Sequence, residues 1–442
     1  MWTYHPDLLA VPVPRYTSFP TAAEFAEGVG ARDLATALEG ENGEISLYVH
    51  IPFCEKICWY CGCNTSVANR RDRVASYLEA LHQEIALVAG LLPRAARVSR
   101  IAFGGGSPNG ISPIDFVRIV DALTLEFAIQ SESSERPVIS IELDPRTLGP
   151  EWAAVAGAVR ISRASLGVQT FEPGLQAAIG RIQPAAMIEK ATAMLRGAGV
   201  RSLNFDLMYG LPGQTLAHLR SSLEQTVAMG ADRIALFGYA HVPHLIARQR
   251  KIDDSALPDA EARFRMAAFG HDFLVDQGYV PVGFDHFARP GDALAQAATG
   301  GTLRRNFQGF TEDQAPVLIG LGASAISSFP GLLVQNEKNT GRYRMMLSQN
   351  RLTANRGILR TADDQRRGGV IEALLCRGRS RIDADLWAEA MPLLQPYLAA
   401  GLCMADGDDL VIEPGGLPYA RSIAARFDPY RKDSLRRFSS AV

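Results

Sequence analysis

Leu47 to Asn64 reads LYVHIPFCEKICWYCGCN, and four of the six cysteines in the 442-residue chain stand in it: Cys54, Cys58, Cys61 and Cys63. Leu47 to Ile51 is a short strand of β-branched and aromatic residues, and Pro52 ends it because proline has no N–H for a sheet ladder. The cysteines therefore belong to a loop leaving a strand tip. Three thiols spaced Cys-x3-Cys-x2-Cys can converge on a metal centre, since soft thiolates favour iron–sulfur clusters or zinc. A closed zinc site takes four ligands, usually as two separated pairs, and no second pair follows. A four-iron cluster held by three thiolates would leave one iron open to a small ligand. A zinc site borrowing His50, a disulfide, and ordinary buried cysteines are the alternatives. Cys63 is expected to point away from Cys61 in an extended backbone, so a structural thiol is its ordinary reading and a catalytic role stays open.

The length suits one large domain of about 250 residues with smaller appendages. With 47% hydrophobic and 21% charged residues the composition is that of a soluble globular protein. No run of about 18 apolar residues exists, so no membrane span is expected. The start, MWTYHPDLLAVPVPRYTSFPT, has neither a basic segment nor a continuous apolar one, so no signal peptide is expected. Clustered reduced cysteines fit a cytoplasmic protein. A net charge of −2 offers no footprint for nucleic acid, so an anionic ligand must be met by local arginines.

Residues 1 to about 45 are interrupted by prolines, with a helical pattern near Ala31 to Leu38, and RYTSFPT at Arg15 to Thr21 reads as a surface arm. Val74, Tyr77, Leu78, Leu81, Ile85, Val88 and Leu92 recur at helical spacing and predict an amphipathic helix. RIAFGGGSP, Arg100 to Pro108, is a strand running into Gly104, Gly105 and Gly106. A helix at Pro113 to Phe127 and a strand at Val138 to Pro145 follow. Strands at Ala164 to Gln169, Leu203 to Met208 and Arg233 to Tyr239 then alternate with helices at Ala185 to Gly197 and Leu216 to Met229. Such alternation implies parallel βαβ units, and right-handed crossovers wind six strands into a barrel or part of one. Reactive residues of such barrels sit at the C-terminal strand ends. The cysteine loop, the glycines, Glu142, Gln169, Asp206 and Ala240 fall there. Beyond about Gly278 the pattern is irregular. From about Thr361 a helical signal returns and ends in GLCMADGDDLVIEP, Gly401 to Pro414, which suggests a small winged-helix-like module. The expected division is an arm over 1–45 that could serve as a lid over the substrate, a barrel with its extension over 46–335, and a mostly helical domain over 336–442.

The glycine run lacks the spacing of a phosphate loop or a dinucleotide fingerprint; bare backbone at a strand end lets a ligand approach. Glu142 and Asp144 are expected on opposite sides of their strand, so one points inward. Asp206 ends an otherwise apolar strand, where a carboxylate needs hydrogen bonds to be tolerated. A structural ion pair and a ligand site both fit it.

The cysteine spacing resembles the signature of the radical S-adenosylmethionine (SAM) enzymes. RYTSFPT, YVHIPFCEKICWYCGCN, FGGGSP, IELDPR, SLGVQTF, NFDLMYGLPGQT, FGYAHVP, FDHFARPGD and RNFQGFT, in this order, resemble one family of them, the oxygen-independent coproporphyrinogen III oxidases. The likeness runs from about residue 14 to FDPY near the C-terminus. It implies an α/β fold with a partial (β/α)6 radical SAM barrel. It also implies a [4Fe-4S] cluster on Cys54, Cys58 and Cys61, with SAM on the fourth iron and a second SAM beside it. Tyr48, Gly105, Glu142, Ala240 and Ile326 match contacts of the cluster-bound SAM. Tyr60, Gly106, Ser107, Gln169, Arg181 and Asp206 match contacts of the second, and Phe307 and Gln308 line the same region. Tyr48 and Cys63 are the catalytic candidates. Tyr60 stands where the family usually has phenylalanine and Ser107 where it has threonine, changes that keep size or hydroxyl. Gly368 and Gly369 stand in a helix that the family builds from better formers, at up to about 1 kcal/mol each.

The reaction implied is removal of hydrogen from the β-carbon of a propionate, loss of carbon dioxide and an electron, and a vinyl product. Done twice, it turns coproporphyrinogen III into protoporphyrinogen IX in haem biosynthesis, with an electron donor and acceptor the sequence does not name. Arg15, Arg289, Arg304 and Arg305 are expected to meet the substrate's carboxylates, which suit guanidinium forks. A monomer is expected, with neither nucleic acid nor membrane as partner. The rival is a haem-binding chaperone, or another tetrapyrrole-acting radical SAM protein, on the same scaffold. Cys63, Phe307 and Gln308 argue against the chaperone.

Overall fold

The computed structural model describes residues 2–68, 70–129 and 136–433. The end of the expected C-terminal domain, residues 434–442, lies outside them. Six strands form the parallel frame: β1 Glu44–Ile51, β2 Arg97–Gly105, β3 Val138–Leu143, β4 Arg163–Gln169, β5 Ser202–Tyr209 and β6 Arg233–Gly238. Each pairs in parallel with the next, in chain order, as the strand–helix alternation predicts. Helices Arg71–Leu91, Pro113–Glu126, Ala185–Gly197 and Leu216–Ala228 lie within a few residues of their expected ranges.

The strands sort their side chains by parity, because successive residues of a strand face opposite sides. Ile45, Leu47, Val49 and Ile51 of β1 join Ile101, Phe103, Leu166, Leu203 and Phe205 in the main core, under the helices. The other parity faces a polar lumen of about 320 Å³, lined by Tyr48, Ser140, Glu142, Ser165, Asn204, Asp206 and Phe237 among others. One cavity touching every strand from β1 to β6 requires the sheet to curl around it. Its lower end is plugged by Glu312, whose carboxylate pairs with Arg100 (2.7 Å), with Arg163 and with Arg233 (3.8 Å).

The sheet runs further than the sequence pattern suggests. Past β6, the short strands β7 Val280–Val282 and β8 His286–Ala288 continue it antiparallel. On the other side β9 Val317–Leu321 pairs in parallel with β1, and β10 Ile326–Phe329, β11 Leu332–Asn336 and β12 Ala354–Leu359 follow antiparallel. Among the described residues the order is β12-β11-β10-β9-β1-β2-β3-β4-β5-β6-β8-β7. β9 and β11 are buried on both faces, so they carry no alternation to read.

A second core gathers Val370, Ile371, Leu374, Leu386, Leu394, Tyr419 and Phe427 of the C-terminal part with Leu9, Val13, Tyr16 and Phe19. Its helices, Ala362–Arg377 and Ala384–Ala399, pack beside a three-stranded sheet of Arg379–Arg381, Cys403–Asp406 and Asp409–Ile412. The reading of RYTSFPT as a surface arm is corrected here. Tyr16 and Phe19 are 4% and 6% exposed, because the extended segment fills a groove of the second core. The Tyr16 hydroxyl donates to Asp428 Oδ2 (2.9 Å), and Phe19 lies against Gly368. No helix among the described residues is long and apolar enough to cross a membrane.

Candidate active site

The cysteine loop leaves β1 through a short parallel bridge, Phe53–Cys54 with Ser66–Val67, at the C-terminal edge of the sheet. Cys54 Sγ lies 3.2 Å from Thr65 Oγ1. Cys58 Sγ accepts from Arg181 Nη1 (3.2 Å) and Arg146 Nη2 (3.3 Å). Both guanidiniums also bind Asp144, at 3.2 and 2.6 Å. Cys61 Sγ accepts the Cys63 N–H at 3.4 Å. The Cys63 thiol donates to Cys61 as well; together with Arg248 and Arg181 these donors outweigh burial and draw the Cys61 thiol down to about 6. The same hydrogen bond holds the Cys63 thiol protonated.

All four cysteines open on one cavity with Tyr60, Gly105, Gly106, Ser107, Glu142, Asp144, Gln169, Arg181 and Asp206. Two expectations are corrected by this arrangement. Cys63 does not point away from Cys61, and Asp144 does not oppose Glu142. In each pair the residues are two apart, and in extended backbone such residues share a face.

Among the described residues no three His, Cys, Asp or Glu side chains stand close enough to share one metal ion. The three loop cysteines ring a space instead. Soft thiolates around a cavity, with two cations hydrogen-bonded to one of them, suit an anionic iron–sulfur cluster. The backbone beside them is bare for a reason of space. Gly105 has φ +115°, and a Cβ there would sit 2.7 Å from the His50 ring; a Cβ on Gly106 would meet Phe53 O and Thr65 Oγ1 at 2.5 Å.

Opposite this backbone stand two carboxylates. Glu142 Oε2 accepts the Gly105 N–H at 3.4 Å. Although the side chain opens on the cavity, desolvation by the surrounding protein and the nearby Asp206 push its carboxyl up to about 7. Asp206 is raised by desolvation too, although Ser165 Oγ (2.8 Å) and Asn204 Nδ2 (2.7 Å) donate to it. Two acids that resist ionising side by side favour a cationic or hydroxyl-bearing guest. Gln169 reaches the cavity from a β-bulge in β4, with φ +67°. Such strain in a non-glycine residue accompanies functional sites. The Ser107 hydroxyl donates to Asn109 Oδ1 within its own turn (2.5 Å) and accepts the Asp144 N–H from the end of β3 (3.1 Å).

Tyr48 and Gln308 line the adjoining lumen. Ala240 lines a separate small cavity above β6. Phe307 lies in the turn between Arg304–Asn306 and Gly309–Thr311, and Ile326 begins β10; neither lines these cavities. Of the arginines expected at the substrate, Arg304 is paired with Glu372 (2.8 Å) and Arg289 donates to Ala231 O (3.2 Å). Arg15 and Arg305 remain at the barrel mouth.

Sequence reasoning missed two parts of this site. One is the Asp144–Arg146 pair, visible in hindsight as the DPR of IELDPR. The other is His50, weighed only as a zinc ligand. Its Nε2 faces Asn64 O at 3.1 Å and must carry the proton, so Nδ1 accepts from the Tyr48 hydroxyl, also at 3.1 Å.

A family model described as the Radical SAM superfamily matches residues 48–226. The chain is 39% identical to the oxygen-independent coproporphyrinogen III oxidase of Bradyrhizobium diazoefficiens over 441 residues, covering 97% of each. It is 36% identical to the Escherichia coli protein of that name, covering 97% of this chain and 96% of that one. The solved structure of the E. coli coproporphyrinogen III oxidase, described as a radical SAM enzyme, superposes with a TM-score of 0.90 at 35% identity. That match covers 97% of this chain and 99% of that one.

Proposed function

The chain belongs to the oxygen-independent coproporphyrinogen III oxidases of the radical SAM superfamily, and from that premise we infer what each part of its site does. It is an enzyme of porphyrin and haem biosynthesis that decarboxylates coproporphyrinogen III oxidatively, with a [4Fe-4S] cluster and SAM as cofactors. When bound, cluster and SAM supply a radical able to take hydrogen from an unactivated carbon.

Cys54, Cys58 and Cys61 hold the cluster, and Arg146 and Arg181 offset its negative charge at Cys58. The backbone of Gly105 receives the amino-acid end of the cluster-bound SAM, and Glu142 its amino group or ribose hydroxyls. Tyr48, Ala240 and Ile326 complete that subsite. Tyr60, Gly106, Ser107, Gln169, Arg181 and Asp206 form a second SAM subsite, beside Phe307 and Gln308. Tyr48, its hydroxyl oriented by His50, and Cys63 are the side chains assigned to the reaction itself. The enzyme works in the cytoplasm as a monomer, with an electron donor and an acceptor distinct from the substrate. The division into arm (1–45), barrel with extension (46–335) and C-terminal domain (336–442) belongs to the same proposal, with its second boundary moved to about residue 360, because β11 and β12 complete the barrel sheet; limited proteolysis that releases a fragment near residue 360 would support it.

One observation carries the assignments. The thiols of Cys54, Cys58 and Cys61 open on the same cavity as the bare backbone of Gly105 and Gly106 and the carboxylates of Glu142 and Asp206. The test is anaerobic: reconstitute the cluster, add SAM, a reductant, coproporphyrinogen III and an electron acceptor, and follow the products by mass. Stepwise loss of two carboxyl groups is expected. Cys58→Ala should lose both iron and product. Full iron and activity in that variant would refute the ligand assignment. Equilibrium dialysis should find two SAM per chain, falling to one in Asp206→Asn.

A further inference from the structure

Above the C-terminal edge of β5 and β6 lies a cavity of about 60 Å³ that the assignments above leave empty apart from Ala240 on its wall. Arg15, Arg263 and Arg421 line it, from the N-terminal arm, helix Ala260–Asp276 and helix Ala420–Ala424. Arg305 closes the group: its guanidinium carbon lies 5.1 Å above the Phe284 ring, which also lines the cavity and carries Arg421 at 5.4 Å. Against four guanidiniums, Asp285 is the only carboxylate among the described residues lining the cavity, and its Oδ1 is 2.6 Å from His286 Nδ1.

The hydrogen-bond acceptors of Arg15, Arg263 and Arg305 are neutral. Arg263 donates to Tyr239 O (2.7 Å), Arg15 to Gly238 O (3.5 Å), and Arg305 to the carbonyls of Arg15 (3.0 Å) and Tyr16 (3.2 Å). Carbonyls satisfy N–H groups without cancelling charge. Arg263 Nε and Arg305 Nη1 have no acceptor at all. Burial lowers both residues below the ordinary arginine range, and burial with the neighbouring Arg15 brings Arg421 down to about 10. Asp285 attracts Arg15, Arg305 and Arg421, so among the described residues the cavity lining sets three cations, Arg15, Arg263 and Arg421, against that one carboxylate.

The cavity adjoins the reaction space. Arg15 stacks on Phe237 (5.2 Å) and Arg305 on Phe310 (4.2 Å), and both rings line the lumen. Arg15 is exposed, so the group can be reached from solvent. A space of about 60 Å³ admits a carboxylate but no macrocycle.

We propose that Arg15, Arg263, Arg305 and Arg421 form a carboxylate site that takes one propionate of the substrate while its macrocycle lies in the lumen; this rests on the oxidase reading above. Guanidinium forks match carboxylate geometry, and anchoring a propionate remote from the reacting one positions the ring for attack. A small inorganic anion has the same chemistry and is the other source to be distinguished.

The experiment uses anaerobically reconstituted holoenzyme and the variants Arg15→Gln, Arg263→Gln and Arg421→Gln, with Arg381→Gln from the exposed pair to Asp408 as control. Each cavity variant should raise KM for coproporphyrinogen III about tenfold or more, with kcat within a few-fold and iron content unchanged. Arg15→Lys and Arg263→Lys should raise it less, since charge survives without the fork. The substrate should raise the Tm of the wild type and do so less in the variants. Unchanged KM, or equal rises for Gln and Lys, overturns the proposal. So does a Tm rise with inorganic phosphate that coproporphyrinogen III does not compete away, which would mark a free-anion site. If the wild type cleaves SAM but leaves coproporphyrinogen III intact, the oxidase reading has failed instead.

Discussion

Glu142 and Asp144 share a face, yet their surroundings divide their roles. Asp144 is held ionised by Arg181 and Arg146, which outweigh its burial, while desolvation and Asp206 push Glu142 up to about 7. Glu142 is therefore the carboxylate that gains a charge partner only when a cation arrives. Glu142→Gln keeps the shape and removes that partner; SAM should bind about ten- to a hundredfold more weakly, measured by equilibrium dialysis at pH 8. Wild-type affinity would show that Glu142 meets no cation. The cysteine spacing, the glycines and the carboxylates were legible in the sequence, because each is an unusual residue type at a strand end. The pairing of Asp144 with Arg146 and Arg181 was not. Arg181 is 37 positions away and reaches Asp144 only across the top of the sheet.

At the scale of elements, the end of β2 and the cysteine loop touch without side chains between them. Gly106→Ala would place a methyl 2.5 Å from Phe53 O and Thr65 Oγ1, so the loop must shift. Iron retained after reconstitution should fall well below the wild-type level, while Gly369→Ala, with open space around it, should leave it unchanged. At the other end of the lumen Glu312 ties β2, β4 and β6 together through Arg100, Arg163 and Arg233. Burial alone would raise its carboxyl, but the three arginines outweigh burial and hold it at about 2, below its ordinary value of 4.5. A carboxylate depressed by folding stabilises the fold above its unfolded pKa, and that contribution fades as pH falls toward the folded value. Glu312→Gln should therefore cost about 3 kcal/mol at pH 7 in urea unfolding. The gap to wild type should narrow between about pH 4.5 and pH 2; a gap independent of pH would mean the cage does not act through charge. The six parallel strands were legible because their helices are amphipathic and regularly spaced. β9 to β12 were not, because Val317–Leu321 and Leu332–Asn336 are buried on both faces and read like any apolar run.

Over the whole molecule, residues 2–20 bind the C-terminal elements, from Ala362 to the 3-10 turn ending at Asp433, to the barrel. Tyr16 donates to the buried Asp428, Tyr419 donates to Thr3 O (2.8 Å) while accepting the His5 N–H (2.8 Å), and Arg431 donates to Pro12 O. Tyr16→Phe leaves the Asp428 carboxylate short of a donor and should cost about 1–3 kcal/mol. Faster trypsin cleavage near Arg15 would report it, and unchanged cleavage would mean the arm is held elsewhere. The order of strands also has a consequence in time. β1, which carries the cysteine loop, pairs with β2 soon after synthesis, but its other edge waits for β9; Val49 meets Leu321, about 270 residues later. At ribosomal speeds the apolar edge of Ile45, Leu47 and Val49 stays open for roughly 15–50 s. During that interval the nascent chain presents a sticky template for foreign strands. The sheet around the cysteine loop is thus closed on its second side only after β9 has been made.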